Sequence, residues 1–436
     1  MPPTLIYNLF PLLVGPINRW HPHLERIAGM GFTWIYLNPI HTPGLSGSLY
    51  AVKDYFGINP RFWPEDGSDP MEALRDFLAA ARERGLRVML DLVINHTAID
   101  APLVAQHPEW YAKNPDGSIK NPGCIDPADA TRVTIWGDLA ELAYWPVPDP
   151  EGLLHFWDQV VSFYLRLGFA GFRADAAYKI PGWFWQRLIT EAKSLEPEVQ
   201  FFAETLGCRL EECTQLAEAG FDFLYNSSKW WDFQAEWCLE QYELFRRVAP
   251  SVSFPETHDT PRLSAESGGN PAVAKQRYLF AAYFSTGLMM PVGYEFGFKK
   301  HLHVVHTRPE DWEEPTYDLT EFIAATHALK AGCPVLLTEG PQVRLNSAGE
   351  VPVLLLKSQD EGAGRVLAVI NPGAEAAEVP AFPAAAGGSP GEWRELTPER
   401  APVPWPAAGP LTLAPYEVRL FYHPALPPLT PPEVNP

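Results

Sequence analysis

One stretch, residues 167–204, restricts the folds open to this chain more than any other. It opens with a short apolar run, Phe169 to Phe172, that stops at Arg173 and Asp175. Apolar residues then recur at Trp183, Leu188, Ile189 and Ala192, which is helical spacing. A second apolar run, Gln200 to Ala203, stops at Glu204. Strand, helix and strand in that span make a βαβ unit, whose strands lie parallel and side by side. Parallel strands that close into a barrel carry their chemistry at their C-terminal ends. Here each strand end holds a carboxylate, with an arginine two residues before the first. That pattern suits acid–base or glycosyl chemistry; a structural ion pair on the barrel rim is the alternative.

The alternation extends both ways along the chain. Residues 5–10 predict a first strand, 24–30 a helix that ends at Gly31, and 33–37 a second strand. A long irregular loop rich in Gly, Ser and Pro follows; loops of that length in a barrel are usually functional. Residues 71–84 predict an amphipathic helix and 87–92 the third strand. Strand four begins only at Phe169. The intervening segment, rich in Pro, Asp and Asn, predicts a small irregular excursion subdomain over 97–150, then a helix over 153–167. Beyond Glu204 come a helix (210–219), a strand (221–225), a tryptophan-rich helix (230–248), a strand (251–254), a helix (272–284), a strand (287–290) and a closing helix (319–329). Eight strand–helix repeats predict an α/β fold, a (β/α)8 TIM barrel built from residues 1–96 and 151–332. From about Val335 the apolar period becomes two, predicting a C-terminal antiparallel β-sandwich domain over 333–424. The proline-rich end, 425–436, predicts a flexible tail.

Composition narrows the function classes. With 53 acidic against 33 basic residues the net charge is −20, which argues against nucleic acid or an anionic membrane as partner. Most of the 15 Trp, 16 Tyr and 24 Phe must be core, but aromatic faces also suit the apolar C–H face of a sugar. The five cysteines, Cys124, Cys208, Cys213, Cys238 and Cys333, form no CxxC and suggest neither a disulfide framework nor zinc. The apolar N-terminus lacks a basic lead-in and contains Pro11, so it reads as a strand rather than a signal peptide. No run approaches the length of a membrane span, and a cytoplasmic location is expected.

Polar groups gather at four strand ends: DLVINH, from Asp91 to His96; GFRAD, from Gly171 to Asp175; the lone Glu204; and Thr257-His258-Asp259. In this order they resemble the α-amylase family, glycoside hydrolase family 13. Tyr50, with Asp54 and Tyr55 after it, resembles that family's sugar-stacking tyrosine, and WGDLAEL (Trp136 to Leu142) the short motif that closes its excursion domain. The resemblance implies Asp175 as nucleophile, Glu204 as general acid and then base, and Asp259 as the group that binds ring hydroxyls and favours the oxocarbenium-like state. It implies substrate contacts from His96, His258 and Lys179, with Asp91 bracing Arg173 and Arg173 holding Asp175 ionised. Retaining glycosidases need two such carboxyl groups about 5 to 5.5 Å apart, and neighbouring strand ends supply that.

The chain departs from the family pattern after Asp175. Where many members carry Lys-His, it reads Tyr178-Lys179. No cofactor is expected; calcium, if held, would use Asn95 and Asp138 as hard oxygen ligands. The run His301 to His306 (HLHVVH) sits in a strand or loop pattern that does not favour a metal. The substrate is expected to be an α-glucan or malto-oligosaccharide, cleaved through a covalent glycosyl-enzyme by hydrolysis or transglycosylation. The segment 183–204 also resembles the family's maltosyltransferases that use maltose 1-phosphate, with Lys179, Arg262, Lys299, Lys300 and Arg308 as a possible phosphate set; those enzymes differ at the strand-seven motif. A non-catalytic sugar-binding scaffold is the reading from another class, and it predicts the loss of a carboxylate that this chain retains.

Overall fold

Eight short parallel strands close on one another in chain order: β1 (Leu5–Asn8), β2 (Trp34–Leu37), β3 (Arg87–Leu92), β4 (Gly171–Ala174), β5 (Gln200–Ala203), β6 (Phe223–Tyr225), β7 (Ser251–Ser253) and β8 (Gly287–Pro291). The last pairs with the first, Leu5 opposite Leu288. The computed structural model describes residues 2–126, 129–407 and 409–429. Residues 430–436, most of the expected tail, lie outside the described set.

Inward-facing side chains fill the barrel. Ile6, Trp34, Tyr36, Met89, Phe202, Phe223, Tyr225, Val252, Phe254 and Met289 form one buried cluster. The opposite parity of the same strands, Tyr7, Ile35, Leu90, Phe172 and Phe201 among them, packs outward under the helices. Gly171 opens β4 because a Cβ there would meet the Gln200 carbonyl at 2.6 Å; the strand could not approach β5 with any larger residue.

The helices carry clear boundary signals. Asp69 accepts from Met71 and Glu72 N–H ahead of the helix Pro70–Glu83. Asp149 accepts from Gly152 N–H ahead of Pro150–Leu167, which Gly168 ends at φ 117°. Proline at the first turn and glycine past the last is the expected asymmetry.

Three sequence expectations need revision. The loop after β2 is not irregular: His41–Pro43 and Val52–Ile58 pair there as an antiparallel hairpin. The segment 230–248 is not one helix. A 3-10 turn, Ser228–Trp230, leads through loop to the helix Trp237–Phe245, because Asp232 accepts from Gln234 and Ala235 N–H and turns the chain between. The helix at 210–219 is α-helical only over Leu210–Thr214. Between β3 and Pro150–Leu167 the chain forms two small antiparallel pairs, His96–Ala98 with Leu139–Glu141 and Gly123–Asp126 with Asp129–Ile135.

The C-terminal part is a five-stranded antiparallel sheet: β9 (Gln342–Arg344), β10 (Val353–Ser358), β11 (Arg365–Ile370), β12 (Arg394–Glu395) and β13 (Val418–His423), in the order 9-10-11-13-12, with a two-stranded sheet beside it. One face, with Val353, Leu355, Val366, Ala368 and Ile370, joins the barrel's own core; the other, with Leu354, Leu356, Leu367 and Val369, packs on Trp393 and Trp405. No helix among the described residues is long and apolar enough to cross a membrane.

Candidate active site

The sequence-selected carboxylates meet above the C-terminal ends of the strands. β3 and β4 pair with Asp91 opposite Arg173, and β4 and β5 pair with Ala174 opposite Ala203, so Asp175 and Glu204 leave neighbouring strands at the same level. Arg173 Nη1 donates to both oxygens of Asp91 at 2.9 Å and to Asp175 Oδ1 at 2.7 Å. Asp91 is buried and also accepts from the Tyr36 and Tyr50 hydroxyls at 2.5 and 2.7 Å. Arg173 is thus fixed from beneath and Asp175 from one side.

Ala176, directly after Asp175, has φ 44° and ψ 44°. This left-handed turn is costly for a residue with a Cβ. It directs the Ala176 N–H at Glu204 Oε2, 2.8 Å away. Leu206 N–H holds Oε1 at 2.6 Å. The strained turn therefore couples the placement of the two carboxyl groups. Burial pushes the Glu204 carboxyl up to about 7, aided by Asp175 and Asp259 and opposed by Arg173 and the Leu206 N–H.

Burial also raises Asp175, with Arg173 opposing and Asp259 adding to the rise. The expectation that Arg173 holds Asp175 ionised meets a larger opposing effect, burial, and the same guanidinium also faces Asp91 and Asp259. Asp259 is half-exposed and lies 3.1 Å from His258 Nε2. Burial holds His258 neutral, its pKa near 3, so this contact is not an ion pair. His258 Nε2 is also 2.6 Å from the Tyr50 hydroxyl, and the two rings stack 5.7 Å apart at 5°. Since the Tyr50 hydroxyl donates to Asp91, it accepts from His258.

His258 Nδ1 and His96 Nε2 are buried without partners among the described residues. Each keeps one ring nitrogen for a hydroxyl to pair with. His96 lies against the Tyr50 backbone, and burial lowers its pKa to about 4. Asn95 turns its amide toward His96 Nδ1 at 3.2 Å, and Asp138 acts on the same imidazole by charge. Among the described residues no group of three or more His, Cys, Asp or Glu side chains is placed to hold a metal ion.

Other side chains stand apart from this cluster. Lys179 is exposed, on the turn after Ala176, with its ammonium 5.6 Å from the Tyr178 ring centroid. Arg262 is not available to a phosphate: it is fully buried, paired to Glu256 at 2.8 Å and donating to the Lys300 and Val292 carbonyls. That pair clamps the loop whose apex carries Asp259. Lys300 pairs with Asp311.

Several pocket residues escaped the sequence reading. Tyr36, Tyr225, Leu206, Thr257 and Met289 line the hollow with Arg173, Glu204, His258 and Asp259. The Tyr225 hydroxyl is buried there without a partner. Tyr36 and Tyr225 share a usable signal: each is a tyrosine at or next to the end of a barrel strand, on the inward parity of its strand. Another hollow, about 340 Å³, lies elsewhere, between Trp183, Gln186, Gln215 and Glu218 on the barrel's outer flank; it contains none of the carboxylates described above.

Comparison with known proteins agrees with this geometry. The family model for the glucanotransferase domain of glycogen debranching enzyme matches residues 5–115. The alpha-1,4-glucan:maltose-1-phosphate maltosyltransferase of Burkholderia pseudomallei is 28% identical over 415 residues, covering 91% of this chain and 36% of that protein. Its counterpart from Mycolicibacterium smegmatis is 32% identical over 323 residues, covering 66% and 44%. The alpha-amylase of Geobacillus thermoleovorans superposes with a TM-score of 0.76 at 18% identity, over 96% of this chain and 98% of that one. The chain shares its fold with the α-amylases and is similar in sequence to the maltosyltransferases. The chain spans less than half the length of these two maltosyltransferases.

Proposed function

We propose that the chain is a retaining α-glycosidic enzyme that acts on α-glucan or malto-oligosaccharide and passes the glycosyl unit to water or to a sugar. One observation carries the reading: adjacent strand ends set an Arg173-braced Asp175 beside a Glu204 whose pKa is near 7. In the first step Asp175 attacks the anomeric carbon while Glu204 gives its proton to the leaving-group oxygen. Glu204, now ionised, then takes a proton from the acceptor, which attacks the glycosyl ester and frees Asp175. Asp259, His258 and His96 hold ring hydroxyls. Such a cycle needs a protonated Glu204 beside an ionised Asp175, and Arg173 is the group that favours the ionised form of Asp175.

A second reading shares every step up to the glycosyl-enzyme and differs in the donor. The relatives named above are maltosyltransferases that use maltose 1-phosphate. In this chain that donor would place its phosphate as the leaving group, on the Glu204 side. Incubation with maltoheptaose, and separately with maltose 1-phosphate plus glucan, separates the routes by product. Glucose and maltose mean hydrolysis, longer chains mean transfer between glucans, and chain growth from maltose 1-phosphate means the phosphate donor. Asp175→Asn is expected to lower every one of these turnovers by on the order of a thousandfold or more; near-normal turnover in that variant rejects the proposal.

A further inference from the structure

The connection from β8 to the helix Thr320–Gly332 carries cations that the glycosyl chemistry does not use. Arg61, in the 3-10 turn Pro60–Phe62, donates from Nη1 to the Val305 carbonyl at 3.0 Å. Arg308 donates from Nη1 to the same carbonyl and to that of Thr307, both at 2.7 Å. Two guanidiniums thus converge on one oxygen, and like charges that close repel. The His303 and His306 rings, on the same loop, lie tilted against each other with centroids 4.4 Å apart. His303 Nδ1 accepts from the Val305 and His306 N–H groups at 3.0 and 3.3 Å, so its other ring nitrogen carries the hydrogen.

Among the described residues no carboxylate lies within ion-pair distance of Arg61 or Arg308. Asp311 is engaged otherwise: its Oδ2 accepts from the Arg308 backbone N–H at 2.9 Å, while its Oδ1 pairs with Lys300 at 3.2 Å. In a chain with 53 acidic and 33 basic residues, two facing arginines without a counter-ion are unexpected. A planar guanidinium fork matches the oxygens of a phosphate, and two forks match a dianion.

The place of this cluster decides what it can bind. Leu49 N–H, one residue before Tyr50, donates to the Val304 carbonyl at 3.1 Å. His301 Nδ1 lies 3.3 Å from the Thr260 carbonyl, next to Asp259. The loop therefore touches the sugar pocket at both ends of the cluster. In the ring of eight strands β5, which leads to Glu204, stands opposite β1, whereas the cluster belongs to the loops after β2 and β8 that flank β1. Glu204 protonates the leaving-group oxygen, so the leaving group lies on its side, and the cluster lies on the glycone side.

We propose that Arg61 and Arg308, with His303, bind a phosphate monoester on the glycone end of the substrate. The placement on the glycone end rests on the glycosyl-transfer reading; the anion site itself does not. The site is distinct from one for a departing phosphate, which would have to lie beside Glu204.

Inorganic phosphate titrated into the full chain by calorimetry tests the site. Single-site binding is expected, weakened about tenfold or more by Arg61→Gln and by Arg308→Gln. Arg308→Lys, which keeps the charge but loses the planar fork, should bind phosphate more weakly than the unaltered chain and more tightly than Arg308→Gln; a loss greater than that of Arg308→Gln would mean a disrupted loop and would overturn the site. No binding, or binding indifferent to both glutamine variants, also overturns it. Steady-state rates then distinguish the sources of phosphate: an oligosaccharide phosphorylated on its non-reducing glucose, the same oligosaccharide unphosphorylated, and maltose 1-phosphate. A kcat/KM preference for the first, cut about tenfold by either glutamine variant, is expected. No preference while phosphate still binds overturns the substrate assignment in favour of free phosphate. If no sugar turns over while phosphate still binds through the two arginines, the glycosyl-transfer reading fails and the anion site stands.

Discussion

Glu204 sets the pH behaviour of this site. Its carboxyl must be protonated when the glycosidic bond breaks, and burial places its pKa near 7. A raised acid pKa means that the competent, protonated form predominates below that value and is lost as the pH rises through it. The kcat/KM profile is therefore expected to fall on its alkaline side around pH 7, and Glu204→Gln to abolish that limb along with most of the rate on unactivated substrates. A descending limb that survives in Glu204→Gln would assign it to another group. At this scale the sequence spoke well where a motif joined several polar residues, as in GFRAD. It was silent on Tyr36 and Tyr225, since a lone tyrosine closing an apolar run reads as core. Lys179, whose motif position suggested a substrate contact, is exposed on the turn that follows Ala176.

Among the elements, the loop between β7 and the helix Pro271–Phe284 depends on a pair of charges out of water. Arg262 and Glu256 are each almost wholly buried, and Glu256 also accepts from Leu263 N–H at 2.5 Å. Replacing one partner strands the other. Arg262→Met is expected to cost about 3–5 kcal/mol in denaturant unfolding, and Arg262→Met with Glu256→Leu distinctly less, because no unpaired charge then remains. The double variant should still lose activity, since the loop it releases carries His258 and Asp259. Strand and helix positions were legible from period and caps. The hairpin after β2 and the break at Asp232 were not, because both depend on side chains folding back onto nearby N–H groups, which periodicity does not register.

For the molecule as a whole, the C-terminal sheet is part of the barrel's stability. Lys330 is fully buried and donates to the Ala282, Ser285 and Leu336 carbonyls, which takes all three ammonium hydrogens. Lys357 of β10 reaches the Phe284 carbonyl at 3.1 Å, and Gln342 of β9 reaches the same one at 2.7 Å. Glu339 accepts from Ser251 and Thr286 N–H at the foot of β7. With the apolar face of β10 and β11 continuous with the barrel core, the two parts should unfold together. One calorimetric transition is expected for the full chain, and a chain ending at residue 332 should be insoluble or lack fixed tertiary structure. Two separated transitions would contradict the shared core. The period-two pattern foretold a β domain but not its dependence on the barrel, since both faces of a strand such as VLLLKS read alike in sequence.

The sharing of Arg173 between two carboxylates, with Asp259 alongside, also bears on inhibition. Such a pocket is short of positive charge wherever the anomeric carbon comes to rest, and a ligand that brings its own cation there supplies what the protein withholds. An iminosugar, charged at the ring position that turns cationic during bond cleavage, should bind more tightly than a neutral sugar of the same shape. The ratio of their inhibition constants should widen as the pH rises through about 7, where Glu204 adds its charge to the others. A ratio near one and flat across that range would show that the carboxylates are already neutralised in solution.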